Sequence, residues 1–359
     1  MIKVYQKYIS RNYFKNVFFI SGIFFSLILI LNVFEEINYF QNTEVGLFFP
    51  LLLNFLNAPS VLYDIFPFIF LISSQFFFLQ LIENNELVIF KNIGLDNFTL
   101  IKILSFLSFI LGVFIIIFYY NISSKLKYFY LDLKMDYASD NKYLAVITEN
   151  GLWIRDEIND NINIINADTI DGNYLRNVMI TQYDYDFTII RHIYSKEVNI
   201  EEKNWFIKRS KISKTGSMNM NKNNFYFESN FNSEKINTLF SNLESLTLWE
   251  LYKLRKDYRE VGYSVSDIEL HLQKIYSFPF YLVVMTVLSA VIMLNIKHNK
   301  PKAFYLLLGI GLSVMIFYVN HFASILGEND KLPITLSVWL PLLLISILTT
   351  VGLVRINEK

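Results

Sequence analysis

The 359-residue chain has no formal net charge, and 53% of its residues are apolar and 17% aromatic, high shares for a soluble protein. The absence of cysteine excludes disulfide bonds, thiolate metal sites and cysteine nucleophiles, and the balanced charge does not indicate nucleic-acid binding. Apolar residues collect in two blocks, 13–121 and 270–355, on either side of a polar stretch. Composition therefore predicts a membrane part, a polar domain and a second membrane part.

Six apolar runs are long enough to cross a membrane. A helix rises about 1.5 Å per residue and the hydrocarbon layer is about 30 Å thick, so about 20 apolar residues are needed. The first run is too long for a signal peptide and no small-residue cleavage site follows it, so we interpret it as a retained anchor. The predicted spans are residues 13–34, 60–82, 99–121, 270–295, 303–326 and 333–355.

Basic residues in the short loops predict the orientation, because Lys and Arg resist translocation. The loops 35–58 and 327–332 hold only Lys331 against five acidic residues, so they are assigned to the outer face, whereas the loop 83–98 is nearly neutral. Both termini are predicted in the cytoplasm, and alternation then places residues 122–268 outside. The basic residues assigned to the cytoplasmic side are Lys3, Lys7, Arg11, Lys15, Lys297, Lys300, Lys302, Arg355 and Lys359.

The polar segment 122–268 has the pattern of a β domain. Short runs of β-branched and aromatic residues alternate with turns rich in Asn and Asp. Strands at this spacing, without helices between them, predict a sandwich or jelly roll, and hence an α+β membrane protein with a β domain inserted between helices 3 and 4. The predicted strands are residues 143–147, 152–155, 162–165, 187–193 and 205–212.

A helical period replaces the strand pattern from about residue 246. This predicted helix ends near Gly262 and leads the chain into the fourth span. Its apolar stripe consists of Leu248, Leu251, Tyr252, Leu254 and Tyr258.

The common catalytic motifs do not occur in the sequence. It contains no G-x-x-x-x-G-K-[ST] phosphate loop, no H-E-x-x-H and no G-x-S-x-G. The histidines, His192, His271, His298 and His321, are far apart, and no metal site is predicted from them. The chain is therefore not predicted to be a self-contained enzyme, and any work against a gradient needs a partner subunit or an ion gradient.

The predicted cytoplasmic turn between spans two and three contains a candidate interaction helix within residues 83–94. A helix starting at Glu83 would have two carboxylates in its first turn and Gly94 at its C-terminal cap. Leu87 and Phe90 would form an apolar ridge that docks into a soluble motor, with Glu86 meeting an arginine there. The alternative from the residues alone is a solvated turn with two acidic side chains.

The second span and this turn together resemble a known family. The segment is FPFIFLISSQFFFLQLIENNELVIFKNIGLDNF, and it resembles the lipopolysaccharide export permeases of the LptF/LptG (YjgP/YjgQ) family. That family has an aromatic-Pro start followed by S-E-L-x-x-x-x-x-x-G. Pro67, Glu86, Leu87 and Gly94 match those positions, whereas Asn85 stands where the family has Ser.

Other segments extend the resemblance over nearly the whole chain, beginning at the N-terminal KYISRNYF. Residues 149–167, ENGLWIRDEINDNINIINA, are similar to the Gly-Leu-Trp segment at the start of the family's jelly roll and favour the LptG paralogue. Residues 245–293 are similar to the family's exit from that domain into span four, with Lys274 and Pro279 at matching places.

The resemblance implies a transport pathway in the bacterial inner membrane. An LptF-type and an LptG-type permease pair, two LptB-type ATPases hydrolyse ATP with Mg²⁺ in the cytoplasm, and this chain itself holds no cofactor. Lipopolysaccharide then passes through the periplasmic jelly rolls toward LptC- and LptA-type proteins. The turn at about 83–97 is implied to be the coupling helix, with contacts shaped by Glu86, Leu87, Phe90, Lys91 and Gly94.

Lipid contacts are expected near the outer ends of the spans. The family commonly places lysines at the outer end of span one, but this chain has Asn32 followed by Glu35 and Glu36, so either the head group is less anionic or other residues replace them. A lysine row above span three is one replacement, and its alternative reading is an interfacial snorkelling row. The candidate lipid-binding residues are Asn32, Lys125, Lys127, Lys134, Lys274 and His321.

Prolines and polar residues inside the spans have structural alternatives. Pro67 and Pro279 are predicted helix kinks, and Pro341 lies in span six. Asn320 and His321 either line the lipid path or pack at an interface.

Three alternatives to an LptG-type transport subunit follow from the same sequence. The LptF paralogue differs in the Gly-Leu-Trp segment and the C-terminal pattern. A non-transporting scaffold with an outer β domain is distinguished by whether a soluble ATPase copurifies. A membrane sensor is disfavoured because the longest predicted cytoplasmic piece is about 16 residues, too short for an output domain.

Overall fold

The computed structural model describes most of the chain as two compact units. One unit comprises residues 1–134, 244–248 and 266–359, and the other comprises 135–243 and 249–265. The strand predicted at 143–147 and the helix end predicted at Gly262 lie outside the described residues. The structure describes residues 4–41, 45–135, 152–158, 161–171, 173–184, 187–214, 220–233, 236, 242–260, 265–296, 301–329 and 331–357.

The first unit is helical, and its six long apolar helices confirm the six predicted spans. Several helices exceed the about 20 residues that a bilayer requires, because polar residues extend the helical pattern at both ends of the apolar runs. In chain order the helices of this unit are α1 Val4–Tyr39, α2 Phe48–Glu83, α3 Glu86–Asn92, α4 Asn97–Phe114, α5 Asn121–Met135, α7 Ser266–Leu294, α8 Lys302–Glu328 and α9 Ile334–Asn357; α6 Leu248–Glu260 belongs largely to the second unit.

The third span continues beyond its predicted end at residue 121. A π-helical turn, Ile115–Tyr120, connects α4 directly to α5. No Gly or Pro occurs between Val113 and Met135, so nothing in the sequence interrupts the helix. The amide of Asn121 bonds the carbonyl of Ile117 at 2.7 Å, which satisfies a polar side chain within the continuing helix.

A buried cluster of hydroxyl groups joins four of the spans. The Tyr13 ring on α1 is fully buried, and its hydroxyl lies 2.8 Å from Ser108 Oγ on α4 and 3.2 Å from Thr286 Oγ1 on α7. Ser74 on α2 completes the cluster at 3.3 Å. Because each group finds a partner, the cluster fixes how these helices align without leaving an unpaired polar atom of Tyr13 in the apolar interior.

Both prolines predicted as kinks lie inside helices that continue past them. Pro67 is in α2 and Pro279 is in α7, and both are buried. A Cβ added to Gly112 on α4 would come within 2.7 Å of Pro279 Cα, so the absence of a side chain at Gly112 allows α4 and α7 to approach closely.

The second unit contains an antiparallel sheet between the third and fourth spans in sequence, which confirms the predicted α+β class. Its main strands follow the order β1-β2-β4-β5-β6-β7, and the short β3 pairs with β4. The strands are β1 Leu152–Ile158, β2 Asn161–Ala167, β3 Thr169–Asp171, β4 Tyr174–Tyr183, β5 Ile189–Asn199, β6 Asn204–Lys214 and β7 Met220–Glu228.

The first and last strands of this sheet are brought together by Asp156 on β1. Its buried carboxylate accepts hydrogen bonds from the Ser229 hydroxyl at 2.8 Å and from the Asn230 amide side chain at 2.8 Å, directly after β7. Because β1 and β7 are the two edges of one sheet, the sheet must curve to make these contacts. The rolled sheet buries an apolar interior that includes Leu152, Ile165, Val178, Ile193, Val198, Trp205 and Ile207.

Candidate functional site

Helix α3 is a short helix between the second and third spans, and it begins three residues later than the predicted start at Glu83. It ends at Asn92, and Gly94 follows with a φ of +83°, a conformation that glycine adopts readily. The Gly94 amide donates to the Lys91 carbonyl at 3.0 Å, and the Leu95 amide donates to the Phe90 carbonyl at 2.9 Å. These two bonds form the C-terminal cap that the position of Gly94 predicts.

The carboxylate of Glu86 ties α3 to α1. The Tyr8 hydroxyl lies 2.9 Å from both carboxylate oxygens, and the Asn84 side-chain amide donates to one of them at 3.1 Å. The Tyr8 ring also meets the Phe90 ring edge-on, with centroids 6.4 Å apart. The Tyr8 side chain therefore connects the first span to α3.

The apolar residues that α3 exposes differ from the predicted ridge. Phe90 is only 7% exposed and Leu87 packs against the core of the helical unit, so these two side chains face inward. Their three-residue spacing puts both on the face that contacts α1 and α2. The exposed apolar side chains, here called the α3 patch, are Val88, Ile89 and Ile93, with exposures of 56%, 56% and 61%.

Charged groups near α3 connect and cap the neighbouring helices. Lys302 Nζ at the start of α8 lies 3.2 Å from the Glu83 carboxylate at the end of α2. Asp96 accepts a hydrogen bond from the Thr99 amide at the start of α4, and its bond with the Thr99 hydroxyl lowers the pKa of Asp96. The helix ends next to α3 are therefore stabilised by the Asp96 cap and by the Glu83–Lys302 ion pair.

Two of the predicted lipid-binding lysines are engaged within the protein. The buried Lys134 ammonium lies 3.0 Å from the Glu36 carboxylate and 2.7 Å from the Tyr130 hydroxyl. Lys127 donates to Asn57 Oδ1 at 2.7 Å. Glu36 lies in the region where the family commonly has lysines. It neutralises Lys134, one of the lysines expected to replace them.

The other predicted lipid residues divide between two places. Lys125 is exposed on α5 and Asn32 is half-buried on α1. Lys274 and His321, distant in sequence, line one cavity between α2, α7, α8 and α9. The cavity has a volume of about 390 Å³, and its lining includes Tyr63, Asp64, His271, Lys274, Phe317 and His321.

Most polar groups around this cavity have partners within the helical unit. The His271 ring lies 2.9 Å from the Tyr120 hydroxyl, and Asn320 donates to the Tyr281 hydroxyl at 2.7 Å. Lys274 Nζ lies 3.9 Å from the Glu328 carboxylate. Asp64, another lining residue, was not among the predicted site residues, although an acidic residue three positions before Pro67 in an apolar run is itself a signal.

Comparison with known protein families agrees with the helix and strand arrangement. The family model described as lipopolysaccharide export system permease LptF/LptG matches residues 7–355. No curated protein matches the chain. The matched range includes α3, the rolled sheet and the cavity, and it leaves only the two ends of the chain outside. The chain is a multi-pass inner-membrane protein that belongs to the LptF/LptG family of lipopolysaccharide export permeases.

Proposed function

We propose that this chain is the LptG-type subunit of an ATP-binding-cassette exporter and pairs with an LptF-type permease. The exporter extracts lipopolysaccharide from the inner membrane and passes it to LptC- and LptA-type proteins. The observation that carries the proposal is the linkage of an exposed α3 patch, through Glu86 and Tyr8, to the first span. The Gly-Leu-Trp segment at 151–153 favours LptG over the LptF paralogue.

The proposed topology places both termini and α3 in the cytoplasm. Lys302 at the α3 end of the helices agrees with this, since basic residues are retained on that side. The chain then crosses three times before the sheet, so the domain that we assign to residues 122–268 is periplasmic. Residues 1–121 and 269–359 form the two membrane parts of this arrangement.

The energy for export comes from partner subunits in this proposal. Two LptB-type ATPases bind ATP and Mg²⁺, and the α3 patch of this chain docks into a groove on one of them. Closure of the ATPases moves α3, and the Tyr8–Glu86 contact carries the movement into α1. The spans then change the shape of the path that holds the lipid.

Docking of the α3 patch is tested by placing a charge on it. In Val88→Asp or Ile89→Asp, the new carboxylate must lose water to enter an apolar groove, so we expect loss of the copurifying ATPase. Leu47→Asp is the matched control, because Leu47 is 71% exposed and lies at the opposite end of α2 from α3. The measurement is the ratio of ATPase to permease after mild-detergent purification from cells.

The possible results separate exporter from scaffold. Loss of the ATPase from the α3 variants, with retention by Leu47→Asp, supports coupling through α3. Retention by all variants contradicts α3 as the docking element. A wild-type chain that copurifies with no soluble ATPase indicates the non-transporting scaffold instead.

Glu86 is proposed to couple ATP hydrolysis to export. In Glu86→Ala the hydrogen bonds from Tyr8 and Asn84 disappear, so α3 loses its link to α1. We expect an assembled complex that hydrolyses ATP but releases less lipopolysaccharide to acceptors outside proteoliposomes. Normal lipid release by the assembled variant would count against this role.

Among the candidate lipid residues, the geometry favours Lys274 and His321 as contacts with the exported lipid, because both open on the cavity. Lys125 is an exposed candidate and Asn32 a half-buried one. We assign Lys134, and in part Lys127, to holding the helices together, since their ammonium groups already have partners.

A further inference from the structure

Asp64 is an unpartnered carboxylate of the helical unit that lines the cavity described above. It lies in the membrane span α2, and its exposed side chain lines the cavity. Within the part of the chain that the structure describes, it has no hydrogen bond and no ion pair within 4.0 Å. An ionisable side chain within a membrane span usually faces a cavity or a ligand path, which makes Asp64 a binding-site candidate.

The position of Asp64 along α2 corresponds to the head-group level of the membrane. The ion pair of Glu83 and Lys302 marks one boundary of the apolar helices. Asp64 is nineteen residues before Glu83, and His321 is nineteen residues after Lys302. At about 1.5 Å per residue this is about 28 Å, close to the thickness of the hydrocarbon layer. Both cavity residues therefore lie where the other leaflet's head groups begin.

The charged groups near Asp64 already have partners. Lys274 lies 3.9 Å from Glu328, and Lys127 lies 3.8 Å from Glu244. Each of these pairs has no net charge, so the ionised carboxylate of Asp64 is the remaining formal charge at the cavity. A ligand that complements this surplus carries a positive group.

The walls of the cavity favour an organic cation over a metal ion. Tyr63 stacks on Phe278 with ring centroids 4.7 Å apart, and Phe317 stacks on His321 at 6.3 Å. Aromatic faces attract ammonium groups, whereas Mg²⁺ and Ca²⁺ need several oxygen ligands. The volume of about 390 Å³ falls in the range of small-molecule sites.

We infer that this cavity binds a primary ammonium group in the head of an amphiphile, with Asp64 as the counter-charge and the rings of Tyr63 and Phe317 as apolar walls. The choice of an amphiphile rests on the proposed export function. Lys274, which is paired with Glu328, lines the same cavity. The ammonium group belongs either to a bulk membrane lipid or to the exported lipid, and the two sources are separated by experiment.

The first experiment measures lipid retention by native mass spectrometry on the full chain with its copurifying partners. The probes are phosphatidylethanolamine and phosphatidylglycerol with identical acyl chains. We expect the wild type to retain the ethanolamine lipid about tenfold better, and Asp64→Asn to lose that preference, because a charge-assisted hydrogen bond disappears. Asp132→Asn, a matched change at an exposed carboxylate on α5, is expected to keep it.

The second experiment uses purified lipopolysaccharide with free amines, before and after N-acetylation of those amines. Weaker binding after acetylation in the wild type, but not in Asp64→Asn, assigns the ammonium group to the exported lipid. A preference confined to the phospholipid pair assigns it to bulk lipid. If Asp64→Asn behaves as the wild type with both probes, or the wild type discriminates in neither, the inference is wrong. Neither assay requires ATP. The lipid-binding result can therefore be interpreted even if the proposed export function is wrong.

Discussion

The helical unit and the sheet each contain a Lys–Glu pair of almost the same length, in very different surroundings. Lys134 and Glu36 are 3.0 Å apart with side-chain exposures of 11% and 5%. Lys208 and Glu197 in the sheet are 2.9 Å apart with exposures of 48% and 29%. Water screens the exposed pair, while removal of one partner from the buried pair leaves a charge that water cannot reach. Burial, and not distance, decides how much each contact contributes.

The largest predicted effect follows from breaking the buried pair. Among the described residues, Lys134→Met leaves the Glu36 carboxylate only the hydrogen bond from the Tyr130 hydroxyl, at 2.7 Å. We expect the free energy of unfolding to fall by about 3–5 kcal/mol, measured by denaturant unfolding in detergent micelles.

Two further variants sharpen this result. Lys125→Met removes an exposed lysine from the same helix and is expected to change stability little. Glu36→Leu combined with Lys134→Met removes both charges and is expected to recover most of the loss. A single variant as stable as the wild type would show that the pair is not buried in the folded protein.

Removing a buried neutral group is expected to lower the free energy of unfolding less than removing one partner of the buried ion pair. Tyr13→Phe removes one hydroxyl from the four-helix cluster, but Ser108 and Thr286 keep their mutual bond at 2.8 Å. We expect a loss of about 1–2 kcal/mol, measured in the same unfolding assay. Tyr318→Phe is the control, because the Tyr318 side chain is 65% exposed. Equal effects at both positions contradict the buried cluster.

An exposed contact can matter to movement while contributing little to stability. Tyr8→Phe keeps the ring contact with Phe90 and removes only the hydrogen bonds to Glu86. One bond worth about 1 kcal/mol corresponds to about a fivefold change in coupling. We expect the lipid released per ATP to fall by about that factor while the unfolding midpoint stays unchanged. Unchanged lipid release per ATP excludes this contact from coupling.

The sequence predicted the elements whose signal is local. Apolar run length identified all six spans, and the glycine at 94 identified the end of α3. The strand pattern predicted parts of β1, β2, β5 and β6 but missed β3, β4 and β7. Arg176 and Asn177 interrupt the apolar pattern of β4, and β7 is rich in Asn and Lys. Both strands therefore form because they pair with neighbouring strands.

Sequence patterns did not predict the contacts between residues that are far apart in the chain. Glu36 and Lys134 are 98 positions apart, and Lys134 was predicted to contact lipid, not Glu36. Lys274 and His321 were both predicted to meet lipid, but only the folded chain places them at one cavity with Asp64. The prediction that Leu87 and Phe90 form the exposed ridge of α3 was wrong, because the contact of Phe90 with Tyr8 depends on how α1 packs.

The smallest predicted effect concerns the exposed pair in the sheet. Glu197 on β5 lies opposite Arg176 on β4 and Lys208 on β6. The hydrogen bond from Lys208 lowers the pKa of Glu197 below its ordinary value of 4.5. The pair's stabilisation is therefore fully present above that ordinary value and is lost as the pH falls from it through the lower pKa of the folded state.

Amide hydrogen exchange of peptides from β5 and β6, compared between variant and wild type at each pH, measures this loss. Between about pH 5 and pH 3, protection in the wild type should decrease toward that of Glu197→Gln, which has no carboxylate to protonate. Glu228→Gln, at the exposed end of β7, should show the same change of amide protection with pH as the wild type. The difference should shrink in high salt, because the pair is exposed. If the difference in protection between the wild type and Glu197→Gln stays the same at the lowest pH, Glu197 contributes through packing and not through its charge.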